Sequence, residues 1–139
     1  MSSVPANAPH THPIRVYYED TDAGGIVYYA NYLKFFERAR TEWLRALGIQ
    51  QQDLLDGQDV AFVVRSASVE YLGAARLDDE LTLRLSVEKL GRASIQFAQQ
   101  ALRGDVLLSS ASVKVGCVDR SSMRPRSLPD TVAAKMLAA

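Results

Sequence analysis

Several things are scarce in these 139 residues, and each scarcity excludes something. There is one cysteine, Cys117. No intrachain disulfide can form, which favours a reducing, cytoplasmic setting. The only histidines are His10 and His12, so no Ser–His or Cys–His nucleophile pair can be built beyond residue 12. Two histidines on a terminal segment, without acids or cysteines nearby, make a poor metal site, and no metal or redox cofactor is implied. Net charge is absent too: 16 basic residues balance 16 acidic ones. A general nucleic-acid binder carries a basic excess, so that class is set aside. No stretch approaches the roughly 20 apolar residues of a membrane span. Residues 1–13 hold three prolines and no apolar run, so no signal peptide is expected there, only a flexible arm.

What remains is ordinary globular material, 47% hydrophobic and of single-domain length. The expected layout is an arm over 1–13 and one domain over 14–139. Ile14–Tyr18 alternates and reads as a strand. A helix is expected over about Asn31–Leu47. At 100° spacing, Tyr32, Phe36, Ala39, Trp43 and Ala46 fall on one line, widened by Leu33, Leu44, Leu47 and Phe35. Such a broad apolar arc suits a helix wrapped by a sheet. It is about 25 Å long, and Gly48 is its stop. Arg40 falls inside the apolar arc, so its charge needs a partner or must snorkel out.

A short helix and loop are expected over residues 49–59. Four strands follow. Ala61–Leu72 places Val63, Ala67, Val69 and Tyr71 on one face. Leu81, Leu83, Leu85 and Val87 alternate with polar residues. Ala93, Ile95 and Phe97 mark the next strand. Leu107, Ala111, Val113, Val115 and Cys117 share a face of the last. Turns at Leu90-Gly91-Arg92 and Arg103-Gly104-Asp105 make neighbours antiparallel, and the four strands read as a meander. The class is α+β, with one helix available to cover one sheet face. Thr131–Ala138 reads as a short terminal helix.

The stretch Glu19–Tyr32 carries the chemistry. It holds three acids and a Gly-Gly pair between a strand and the long helix. A carboxylate there stands beside a helix N-terminus, where free N–H groups and the positive dipole end gather. That combination suits carbonyl chemistry, the acid activating water or attacking and the N–H groups holding the oxyanion. It equally describes a corner whose acids cap the helix and stay solvated. Arg120, Arg124 and Arg126, and separately Lys89 and Arg92, are either solvated surface or a grip for phosphates.

Arg15-Val16, Thr21-Asp22 and Gly25-Ile26-Val27, at their spacing, resemble the signature of the 4-hydroxybenzoyl-CoA thioesterase family of hotdog-fold enzymes. Asp20–Gly25, Phe36–Glu42, Ala61–Arg65 and Ala75–Asp79 look most like its YbgC branch, the Tol–Pal-associated acyl-CoA thioesterases. The likeness runs from about Arg15 to Pro129.

The resemblance implies a five-stranded antiparallel sheet wrapped around one central helix. It implies hydrolysis of acyl-CoA, with Asp22 catalytic and the Tyr29 backbone N–H aimed at the thioester carbonyl. Many members carry His at the Tyr29 position. It puts Gly25, Arg92 and Ser94 in substrate binding. The implied partners are acyl-CoA or an acyl carrier protein, and a second copy of the chain, in a dimer or a dimer-of-dimers tetramer. Other readings are a non-catalytic adaptor for acyl carriers or envelope proteins, and an acyl-thioester dehydratase. The dehydratase needs an acid/base that is usually His.

Overall fold

The structure is a computed structural model and describes residues 9–139. Its elements are β1 (His10–Arg15), α1 (Asn31–Ala46), α2 (Gln51–Gln58), β2 (Val60–Tyr71), β3 (Glu80–Leu90), β4 (Ser94–Arg103), β5 (Val106–Asp119), β6 (Arg124–Pro125) and α3 (Asp130–Ala138). All pairings are antiparallel, in the order β1-β3-β4-β5-β2, with β6 added to β5. The sheet curls around α1, which lays its apolar face on it. Phe35, Phe36 and Ala39 are fully buried. The Trp43 ring meets Phe97 of β4 edge-on, 5.5 Å between centroids. This is the hotdog arrangement, and α1 has the boundaries its periodicity implies to within a residue.

Five expectations need correction. The expected arm over 1–13 overlaps a real strand, because His10–Pro13 pair with Leu85–Thr82 of β3. Residues 1–8 of that arm lie outside the described residues. Pro13 is tolerated because β1 is an edge strand, where a missing N–H breaks no second ladder. The strand expected over Ile14–Tyr18 ends early, and Tyr18–Asp20 form a 3₁₀ turn instead.

The meander holds for β3, β4 and β5 only. β2 pairs with β5, not β3, because the connection over residues 72–79 carries the chain from one side of the sheet to the other. The inward face of β2 is also shifted at its start. The register slips between Val64 and Ser66, so Phe62 and Val64, not Val63, oppose the buried Cys117 and Val115. A bulge inserts one residue and inverts every side chain on one side of it. A second slip, between Ala101 and Leu102 of β4, does the same on β5. Leu108 is buried there, and Leu107 is only partly so.

Candidate active site

The stretch between β1 and α1 is tied down at both ends. Just past the end of β1, Val16 donates its N–H to Asp79 O at 2.9 Å. The chain then leaves through the 3₁₀ turn, where Asp20 N donates to Tyr17 O. Asp20 is 4% exposed and uses both carboxylate oxygens. One accepts from the Tyr17 N–H and the other from the Asn31 side-chain amide, each at 2.8 Å. Asn31 opens α1, so this buried pair fixes the turn to the helix start. Sequence reasoning missed it. Nothing local marks a contact spanning 11 positions.

Asp22 heads the next turn. Its N–H donates to Ile26 O and its O accepts from Gly25 N–H. Gly25 has φ +78°, a region that a residue with a Cβ enters at a cost. The Asp22 Oδ1 accepts from Gly24 N–H at 2.8 Å. Its other oxygen has no partner among the described residues, and the side chain is exposed. One oxygen is thus held and the other is open to solvent. Val27 N–H reaches across to Ala75 O of the β2–β3 connection, and Tyr28 N–H to Asp20 O.

α1 then begins at Asn31. Tyr28 O accepts from Asn31 N–H and Tyr29 O from Tyr32 N–H. No side chain caps the helix at Ala30, and no acid stands in its first turn. The acids before it therefore do not cap it: Asp20 holds Asn31 and Tyr17, and Asp22 closes its own turn. The Tyr29 N–H makes no hydrogen bond among the described residues and sits at the positive end of the α1 dipole. The Tyr29 ring, 60% exposed, rests edge-on against Tyr71 at the end of β2, 5.8 Å between centroids. Tyr32 also meets Tyr71, at 5.7 Å.

Asp22, Gly25 and Tyr29 thus share one corner of the molecule. Arg92 and Ser94 do not. They stand at the β3–β4 turn, at the far end of β3. The 11 residues of β3 separate the two ends, roughly 30 Å at the strand rise. Arg92 is exposed, its Nε donating to Ser127 Oγ at 2.9 Å. Arg126 donates to Gln58 O at 2.7 Å, so it braces the β5–α3 segment.

Two cavities open between α1 and the sheet, of about 260 and 640 Å³. Glu37, Arg40 and Val64 line both. Arg40 finds one hydrogen-bond partner there, a neutral one. Its guanidinium donates to Gln99 Oε1 of β4 at 2.9 Å, and Gln99 in turn donates to Phe36 O.

Comparison with known proteins bears on the fold and the family. Residues 24–110 match the model of the thioesterase superfamily. The chain is 52% identical over 122 residues to the acyl-CoA thioesterase YbgC of Haemophilus influenzae, covering 88% of this chain and 90% of that one. It is 48% identical over 124 residues to the acyl-CoA thioester hydrolase YbgC of Escherichia coli O6:H1, covering 88% and 92%. Among solved structures, the "Probable Thioesterase from Bartonella henselae" superposes with a TM-score of 0.84 at 36% identity, covering 88% of this chain and all of that one. No described helix is long and apolar enough to cross a membrane.

Proposed function

Because the chain belongs to the thioesterase superfamily, we propose that it is an acyl-CoA thioesterase, releasing CoA and a carboxylic acid. The observation that carries this is the pairing of a half-free Asp22 carboxylate with the unpaired Tyr29 N–H at a helix N-terminus. In the first of two routes, the free Asp22 oxygen takes a proton from water as that water attacks the carbonyl carbon. The carbonyl π pair moves onto oxygen, where the Tyr29 N–H receives the charge. The intermediate then expels the CoA thiolate, which takes the proton that Asp22 removed from water. In the second, Asp22 itself attacks, the thiolate leaves, and water hydrolyses the mixed anhydride. A thiol ionises near pH ~8.5, so it leaves without a strong acid, and the lack of histidine near the site is no obstacle.

The same reading includes a C2 dimer joined along β2. The outer edge of β2 is unpaired among the described residues, and Val64 and Tyr71 on it are 54% and 43% exposed. Open strand edges tend to recruit another chain. Antiparallel pairing of two β2 strands sets the Arg92 end of each copy beside the Asp22 end of the other. Asp22 would then work on substrate gripped by Arg92 and Ser94 of the second copy, in the cytoplasm, where the lone thiol of Cys117 stays reduced.

Release of free thiol from a panel of acyl-CoAs tests the activity. Turnover supports the thioesterase. Tight binding without turnover favours the adaptor. Light scattering on a dilution series, with activity on the same samples, tests the shared site: a fully active monomer refutes it.

A further inference from the structure

Resting on that reading of the enzyme, we propose that Arg40 makes the α1 cavities a site for acyl groups that end in a second carboxylate. The walls are mainly apolar: Leu44, Phe62, Ile95, Phe97 and Val115 surround the smaller cavity. A chain of methylenes belongs there, but the charges do not match a neutral tail. Lys34, Arg38 and Arg40 line the larger cavity against a single acid, Glu37. None of the three cations forms a salt bridge among the described residues, whose ion pairs lie elsewhere. Glu37 already accepts from Thr41 Oγ1 at 3.1 Å. Arg38 lies over the Phe35 ring.

Arg40 is the deepest of these cations and sits on both cavities. One N–H goes to Gln99, which is 1% exposed and fixed by Phe36 O. The remaining guanidinium N–H groups find no acceptor among the described residues. A buried Gln aimed at a guanidinium orients it without neutralising it. Burial lowers the Arg40 pKa, against a smaller opposing pull from Glu37, so its charge gains from any anion that arrives. The free side of the fork matches a carboxylate bidentately. A neutral acyl tail leaves those donors unsatisfied, and a site that hydrogen-bonds one ligand discriminates strongly against the analogue lacking the group.

The test compares succinyl- and glutaryl-CoA with butyryl- and pentanoyl-CoA, of equal carbon count, on wild type, Arg40→Met and Arg40→Lys. Each substrate is also used as its pantetheine thioester, which lacks the nucleotide phosphates. Wild type is expected to favour the dicarboxylic substrates by at least about tenfold in kcat/KM. Arg40→Met should lower kcat/KM for them by about 10²-fold, leave the neutral substrates within about threefold, and reverse the preference. Arg40→Lys should restore part of it. The preference should persist on pantetheine thioesters.

Preference by wild type for neutral tails overturns the proposal. So does an equal loss on all substrates in Arg40→Met, which makes Arg40 structural. A preference that vanishes on pantetheine thioesters means Arg40 reads CoA phosphate, and the proposal fails. A smaller mass by light scattering in Arg40→Met means Arg40 pairs with an acid of a second copy, and it fails equally. No turnover on any thioester refutes the thioesterase reading itself, an outcome distinct from all of these.

Discussion

Exchanging Asp20 and Asn31 tests whether their buried contact positions the site. In the wild type, Asp20 accepts two hydrogen bonds, from Tyr17 N–H and from the Asn31 amide. Asp20→Asn can keep only one; its amide nitrogen then faces another donor. Hydrogen bonds to a charged group contribute about 1.5–3 kcal/mol, and an orphaned buried donor loses a similar amount, so about 2 kcal/mol should be lost. Asn31→Asp sets two carboxylates where an amide met a carboxylate, with a loss of about 2 kcal/mol or more. The double variant restores complementarity. The new amide at position 20 can accept from Tyr17 N–H and donate to the new carboxylate at position 31. That carboxylate, in the first turn of α1, also gains from the helix dipole. The double-mutant cycle should therefore show a favourable coupling of about 2–3 kcal/mol, the upper part of the usual range.

Urea titration at fixed protein concentration reads the stabilities, and kcat on a good acyl-CoA reads the site. Each single variant should lose activity with stability, and the double variant should recover most of both. Purely additive losses, with coupling under about 0.5 kcal/mol, would refute the claim that this pair ties the turn to the helix.

Two further outcomes are expected. Arg92→Ala should raise KM for acyl-CoA but not for the acyl-pantetheine, and added salt should imitate it, because exposed charges are screened over about 8–10 Å; a KM rise of equal size on both would place Arg92 at the acyl end instead. Burial pushes the Asp79 pKa up, but hydrogen bonds from Arg76 N–H and Arg103 and the charges of both arginines outweigh it, so the carboxyl titrates below its ordinary value. Its contribution is present above the unfolded carboxyl pKa near ~3.9 and lost as pH falls through the lower folded value. Asp79→Asn should flatten that part of the acid-unfolding curve, and an unchanged curve would contradict the assignment.

Periodicity carries α1 and β3 because both are set by local rules: an apolar arc at 100° and a strict alternation. It carries them into the right class of fold. It misleads where a strand departs from its period. The bulge beside Arg65 moves Val63 off the inner face, and the slip opposite Ala101 and Leu102 replaces Leu107 with Leu108. Neither puts a glycine at the extra residue itself; Gly116, which faces Val63 at the first, lies on β5. Strand order fails for a related reason. The β3–β4 and β4–β5 turns are short and dictate neighbours, whereas the 72–79 connection is long enough to cross over.

Within the site, the turn at Asp22 and Gly25 is legible because glycine and acid act locally. The Asp20–Asn31 contact is not, because it joins residues 11 positions apart through a buried side-chain hydrogen bond. The separation of Arg92 and Ser94 from Asp22 is likewise a property of the whole sheet, invisible to motif spacing.

The free oxygen of Asp22 is proposed to do the chemistry. The direct measurement is kcat of Asp22→Asn on the best acyl-CoA, with urea titration on the same sample. Asparagine keeps the size and can still accept from Gly24 N–H, so the turn should survive. With the carboxylate gone, kcat should fall by about 10²–10⁴-fold at nearly unchanged stability. A fall of less than about fivefold in a folded variant would leave Asp22 as a turn residue with no part in the chemistry.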